Sequence, residues 1–182
     1  MIITAGDLKG KKIHCPSGQE VRPTSSKIRQ AIFNVLYSMG LDMQKVRMLE
    51  LFAGTGIVSL EAISRGAQKA VLVDNSYGSL QFADKNIKHL GIKEKTALIK
   101  NDALEYVKGN YLKGFNLVFM DPPYRYPRYN DVINELIPKI DDNAIVMAES
   151  GEALFKDGKP KEIEVIKVKS WGQTFVTFMR KA

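Results

Sequence analysis

The apolar positions of the chain fall into three rhythms. From Ser26 to Met39 they recur at helical spacing, with Ile28, Ala31, Ile32, Val35, Leu36 and Met39 on one face and Gly40 ending the run. Pro23 and Thr24-Ser25-Ser26 supply the helix start. From Lys45 onward, short apolar runs alternate with amphipathic stretches. The runs at 46–52 (VRMLELF), 70–74 (AVLVD), 96–100 (TALIK), 115–120 (FNLVFM) and 144–149 (AIVMAE) predict strands. Helical patterns cover 56–66, 77–91 and 129–138, and a short helical turn follows Asp102. The third rhythm is strict alternation in two adjacent runs, 162–172 and 173–180, which predict a hairpin. Ahead of all three, residues 1–22 mix Gly, Lys and short β-like runs (Ile2–Thr4, Lys12–His14), as in a small hairpin or arm.

Strand–helix alternation implies a mainly parallel sheet with helices on both faces. The closing hairpin adds antiparallel to its edge, giving seven strands in all. The expected fold is α/β in one domain over 1–182: an arm (1–22), a helix (23–40) and a core (45–182). Open parallel sheets bind ligands beyond the carboxyl ends of their strands. Here those ends carry chemistry. Glu50-Leu51-Phe52-Ala53-Gly54-Thr55-Gly56 follows the first strand, Asp74-Asn75 the second, Asn101-Asp102-Ala103 the third and Asp121-Pro122-Pro123-Tyr124 the fourth. Taken singly, the prolines only stop a strand and Asp102 only caps a helix. Four such endings on one sheet edge point to a single polar site.

Gly54 and Gly56 let backbone approach a ligand closely, and Asp74 is placed to accept from ribose hydroxyls, as in dinucleotide folds. A nicotinamide or flavin cofactor is therefore a candidate. The dinucleotide fingerprint is unmet, because Ser59 stands where its third glycine belongs. An acid, Glu50, also precedes the glycine turn. A carboxylate repels a pyrophosphate and attracts an ammonium or sulfonium. S-adenosylmethionine carries both cations and no phosphate, so it fits better.

Charge adds a possible partner. The net charge of +7 lies at the two ends, since residues 1–30 hold six Lys/Arg against two acids and residues 156–182 hold seven against three. Such ends are either a solvated surface or a flank for a polyanion such as RNA, with Lys11, Lys12 and Arg29 as candidate phosphate contacts. Cys15 is the only cysteine, and His14 and His89 are the only histidines, far apart in sequence. No thiolate cluster or histidine-rich metal site is expected. No apolar run reaches the ~18–20 residues that cross a bilayer, and the opening has no signal core. A reducing cytoplasm is the expected location.

The ordered set E-L-F-A-G-T-G, Asp74, N-D-A and D-P-P-Y resembles class I methyltransferases that act on exocyclic amines. With LKGKKI (8–13), RPTSSKIRQAIFNVL (22–36) and WGQTFVTF (171–178), nearly the whole chain is similar to the RsmD-type bacterial 16S ribosomal RNA guanine methyltransferases. The resemblance implies a Rossmann-like fold, S-adenosylmethionine as cofactor and the small ribosomal subunit or its assembly intermediate as partner. The implied product is methylation of the 2-amino group of guanine 966. By the same resemblance Glu50 holds the methionine part, and Phe52, Ala53, Gly54 and Gly56 wall it. Asp74 and Asn75 lie at the ribose, Asp102 and Ala103 at the adenine, and Arg22, Pro23 and Thr24 close the methionine end. Asp121 and the Pro122 carbonyl accept the hydrogens of the target amine, Pro123 stiffens the turn and Tyr124 stacks on the extruded base. Four positions depart from the family's usual residues: Glu50 and Ser26 for Asp, Asp74 for Glu, and Ser76 for a second acid. An adenine-amine methyltransferase and a catalytically silent RNA-binding module of the same fold are the rival readings.

Overall fold

A computed structural model describes residues 1–16, 25–123, 126–155 and 158–182. Helix α1 (Ser26–Ser38) starts where Ser25 Oγ accepts the Ile28 N–H. The core then runs β1 (Arg47–Leu51), α2 (Ile57–Ser64), β2 (Lys69–Asp74), α3 (Tyr77–Leu90), β3 (Thr96–Lys100), α4 (Ala103–Gly109), β4 (Leu117–Met120), α5 (Tyr129–Leu136), β5 (Ile145–Ser150), β6 (Ile163–Trp171) and β7 (Thr174–Lys181). Each predicted core element is present to within a few residues. The seven strands lie in the order β3-β2-β1-β4-β5-β7-β6. β1 to β5 pair in parallel, while β7 runs antiparallel to both β5 and β6. Strand order reverses between β1 and β4, so the crevice of the sheet opens above those two strand ends.

The sheet buries both faces, and the pleat sorts its side chains between two cores. Met48, Ala70, Leu72, Phe119 and Met147 face α1, α2 and α3. Leu49, Leu51, Val73, Val118, Met120 and Val146 face α4 and α5. This period of two explains why the central strands read as continuous apolar runs rather than as alternating ones.

The arm is tied down by polar groups. Its two runs meet through a single antiparallel bridge, Ile2–Lys12, rather than a ladder. The wholly buried carboxylate of Glu61 on α2 accepts from the N–H groups of Thr4 and Ala5 and from Thr4 Oγ1, at 2.9, 3.0 and 2.6 Å. Arg65 Nε lies 2.9 Å and Arg29 Nε 3.8 Å from the same carboxylate. Arg29 also donates to the Ile2 carbonyl at 2.7 Å. The expectation that Arg29 contacts RNA is therefore wrong: its side chain is fully buried, and its charge holds arm, α1 and α2 together. Lys11 and Lys12 are exposed, as expected. The two histidines, distant in sequence, meet edge-on with ring centroids 5.3 Å apart. Among the described residues no group of three metal-binding side chains occurs, and no helix is long and apolar enough to cross a membrane.

Candidate active site at the carboxyl ends of the strands

The chain leaves β1 through Phe52, which takes a left-handed φ of 58°. Ala53 N–H still pairs with the Val73 carbonyl, and Gly56 N–H closes the turn on the Ala53 carbonyl at 2.8 Å. Gly54 and Gly56 have φ of 56° and 75°. They do different work. A Cβ on Gly54 would meet nothing within 4 Å, so its backbone borders open space that a ligand can fill. A Cβ on Gly56 would lie 2.4 Å from Leu72 Cδ2, in the core. Gly56 is thus required by packing and by its place as the N-cap of α2, not by room for a ligand.

Gly56 has no side chain to cap α2, and Glu50 takes over that task. Its carboxylate, 2 % exposed, accepts the Ser59 N–H at 2.9 Å across the turn. Burial pushes its pKa up to about 7; hydrogen bonds from Ser59 and Val58 oppose this, and Asp74 adds to it. Asp74 ends β2 and accepts from Gly54 N–H through Oδ2 and from Ser76 N–H through Oδ1, both at 2.8 Å. It sets the shape of the glycine turn, and each oxygen keeps a lone pair for a ligand hydroxyl. Asn75 beside it is exposed. Asp102 caps α4, accepting from Leu104 and Glu105 N–H at 3.0 and 3.2 Å, with Ala103 as the first helical residue.

Asp121 follows β4. Because Met120 pairs with Ala148 in parallel register, Asp121, just past β4, and Glu149, next to last in β5, stand side by side. Burial, then Glu149, then Glu50 raise the Asp121 pKa to about 8. The buried Tyr129 hydroxyl donates to the Glu149 carbonyl at 2.8 Å, and its own pKa is raised by burial and by these two acids. Glu149 was missed in the sequence, although the rule of strand-end acids applies to β5 as it does to the other four strands. Four carboxylates therefore converge on one crevice: Glu50, Asp74, Asp121 and Glu149. Their mutual repulsion and desolvation favour a ligand that brings positive charge.

The structure brings Glu50, Phe52, Ala53, Gly54, Gly56, Asp74, Asn75, Asp102, Ala103, Asp121, Pro122 and Pro123 to this one edge of the sheet. Arg22, Pro23, Thr24 and Tyr124 lie outside the described residues. Trp171, at the end of β6, packs against the core shared with α1 to α3.

A doubly wound sheet ending in an antiparallel hairpin, with an acid-rimmed glycine turn at its switch point, defines the Rossmann-like class I methyltransferase fold. The profile of the family described as Conserved hypothetical protein 95 matches residues 1–180. The chain belongs to that family, and it is a methyltransferase of the RsmD type. Relatives named Ribosomal RNA small subunit methyltransferase D include one from Buchnera aphidicola, 31% identical over 93% of this chain and 83% of the relative. Another, from Escherichia coli, is 32% identical over 81% of this chain and 73% of the relative. The solved structure of the Escherichia coli protein yhhF, described as a methyltransferase, superposes with a TM-score of 0.83 at 26% identity, covering 100% of this chain and 98% of that one.

Proposed function

We propose that this protein transfers a methyl group from S-adenosylmethionine to the 2-amino group of a guanine, guanine 966, in 16S ribosomal RNA. The observation that carries the reading is the set of converging strand-end carboxylates beside open space at Gly54. A ligand with an ammonium and a sulfonium relieves their repulsion, and a phosphate-bearing dinucleotide aggravates it. The names of the relatives support RNA of the small subunit as acceptor, and the exposed Lys11 and Lys12 on the arm suit its phosphates. The partner is that RNA in the cytoplasm, free, in the subunit or in an assembly intermediate.

Bound S-adenosylmethionine supplies a methyl group already activated by its sulfonium. The protein's own work is therefore placement. Glu50 and the backbone around Gly54 hold the methionine end together with Arg22, Pro23 and Thr24. Asp74 and Asn75 take the ribose, and Asp102 and Ala103 the adenine. A guanine 2-amino group is a poor nucleophile because its lone pair is delocalised into the ring. Asp121 and the Pro122 carbonyl accept its two hydrogens, which pins the nitrogen and frees the lone pair for attack. Pro123 fixes the turn, and Tyr124 offers a face to the flipped base. The rate gain comes mainly from orientation.

Nucleoside mass spectrometry of ribosomal RNA treated with enzyme and S-adenosylmethionine tests this. The expected product is N2-methylguanosine at one site. N6-methyladenosine would instead make the protein an adenine methyltransferase, the other chemistry that D-P-P-Y serves. Cofactor binding without any methylated product would indicate a silent RNA-binding module.

A further inference from the structure

Tyr126 joins the two halves of the site. Its N–H donates to the Pro123 carbonyl at 3.0 Å, so the position of its ring is tied to the end of the Asp121-Pro122-Pro123 motif. That ring stands edge-on to Phe52, with centroids 4.9 Å apart and planes at 70°. Phe52 is the residue at φ 58° between β1 and the glycine turn, a conformation that a bulky L-residue holds only when its surroundings impose it. The Tyr126 hydroxyl donates to Asp102 Oδ2 at 3.3 Å. The other oxygen, Oδ1, already accepts from Leu104, Glu105 and, at 3.3 Å, Arg128 Nη2. Arg128 reaches Glu105 as well, at 3.6 Å. One aromatic side chain thus touches the wall of the donor site and the acid assigned to the adenine, while its own backbone is bonded to the acceptor motif.

Resting on the function proposed above, we infer that Tyr126 is a positioning residue that couples occupancy of the donor site to placement of the acceptor motif. Asp102 Oδ1 is saturated by its three donors, so an adenine amine must share Oδ2 with the Tyr126 hydroxyl. A ligand wedged against Phe52 likewise bears on the Tyr126 ring. Either contact moves Tyr126 and, through its N–H, the carbonyl of Pro123. The consequence is reciprocal: the donor sharpens affinity for the RNA base, and the RNA sharpens affinity for the donor by the same factor.

The readout is the affinity for substrate ribosomal RNA with and without saturating S-adenosylhomocysteine, which occupies the donor site but carries no methyl group. In the wild type the ratio of the two RNA dissociation constants is expected to be about fivefold or more. Tyr126→Ala should bring that ratio close to one, because both the ring and the hydroxyl are lost. Tyr126→Phe keeps the edge-on contact and should retain part of it. The single-turnover rate should fall in the same order; donor affinity measured without RNA should change little, while donor affinity measured with saturating RNA should fall by the factor lost from the ratio. A wild-type ratio of one, or a ratio unchanged in Tyr126→Ala, overturns the inference. A wild type that binds no S-adenosylhomocysteine fails at the earlier step, the cofactor assignment itself.

Discussion

Gly54 and Gly56 look equivalent in the sequence, and the structure separates them. Consider Gly54→Ala and Gly56→Ala, each the addition of one methyl group. Both positions have left-handed φ, 56° and 75°, which costs an L-residue about 1–2 kcal/mol. At Gly54 that is the whole cost to the ligand-free protein, since the new atom meets nothing within 4 Å. At Gly56 the new atom would stand 2.4 Å from Leu72 Cδ2, a side chain with no exposure, so repacking adds ~1–3 kcal/mol. The two variants should therefore differ by that second amount. Urea unfolding of the ligand-free proteins, followed by Trp171 fluorescence, measures the difference. Calorimetric titration with S-adenosylmethionine should show the opposite ranking of specific damage: Gly54→Ala folds nearly normally yet loses the ligand, because its methyl group enters the space the ligand needs. Equal urea midpoints for the two variants, or wild-type cofactor affinity in Gly54→Ala, would refute the division of labour.

Asp121→Ala should bind S-adenosylmethionine nearly normally and lose almost all methyl transfer in single-turnover assays, whereas Asp121→Asn keeps some activity if orientation outweighs charge. The raised pKa values of Glu50 (about 7) and Asp121 (about 8) have a stability consequence. The folded protein holds these protons after the unfolded chain has released them, so ligand-free stability should fall as pH rises from about 4.5 to 8. The slope is up to ~1.4 kcal/mol per pH unit for each group, and Asp121→Asn should flatten it in urea titrations across that range. Cofactor affinity should move the other way, tightening up to about tenfold between pH 6 and 8 as Glu50 ionises, while Glu50→Gln should show little dependence. Lys11→Gln and Lys12→Gln should each lower the salt slope of RNA binding by up to about one unit. Arg29→Gln should instead leave that slope alone and cost ~1–3 kcal/mol in unfolding, because it removes the buried donor to the Ile2 carbonyl and one of the two cations beside Glu61.

Local patterning carried much of this protein. Apolar periodicity distinguishes strand from helix because the pleat and the helix turn repeat at different intervals, and seven strands and the core helices follow from it. The acids among the last residues of β1 and β2 and just beyond β3 and β4 needed no coordinates either, since strand-end position alone places them on one edge of a parallel sheet. Those features depend on near neighbours in the chain. What depended on distant neighbours could not be read there. Arg29 has the sequence context of a surface cation, and only the fold reveals the Glu61 carboxylate that makes its burial tolerable. Gly54 and Gly56 share a motif, and only Leu72, which packs in from the adjacent strand β2, tells them apart. Glu50 reads as a ligand-binding acid, yet it also caps α2 across the turn. Tyr126 has no signature at all, because its partners Phe52 and Asp102 come from the ends of two other strands. A sequence records which residue occupies each position; burial, charge pairing and shared protons are set by what the tertiary structure brings alongside it.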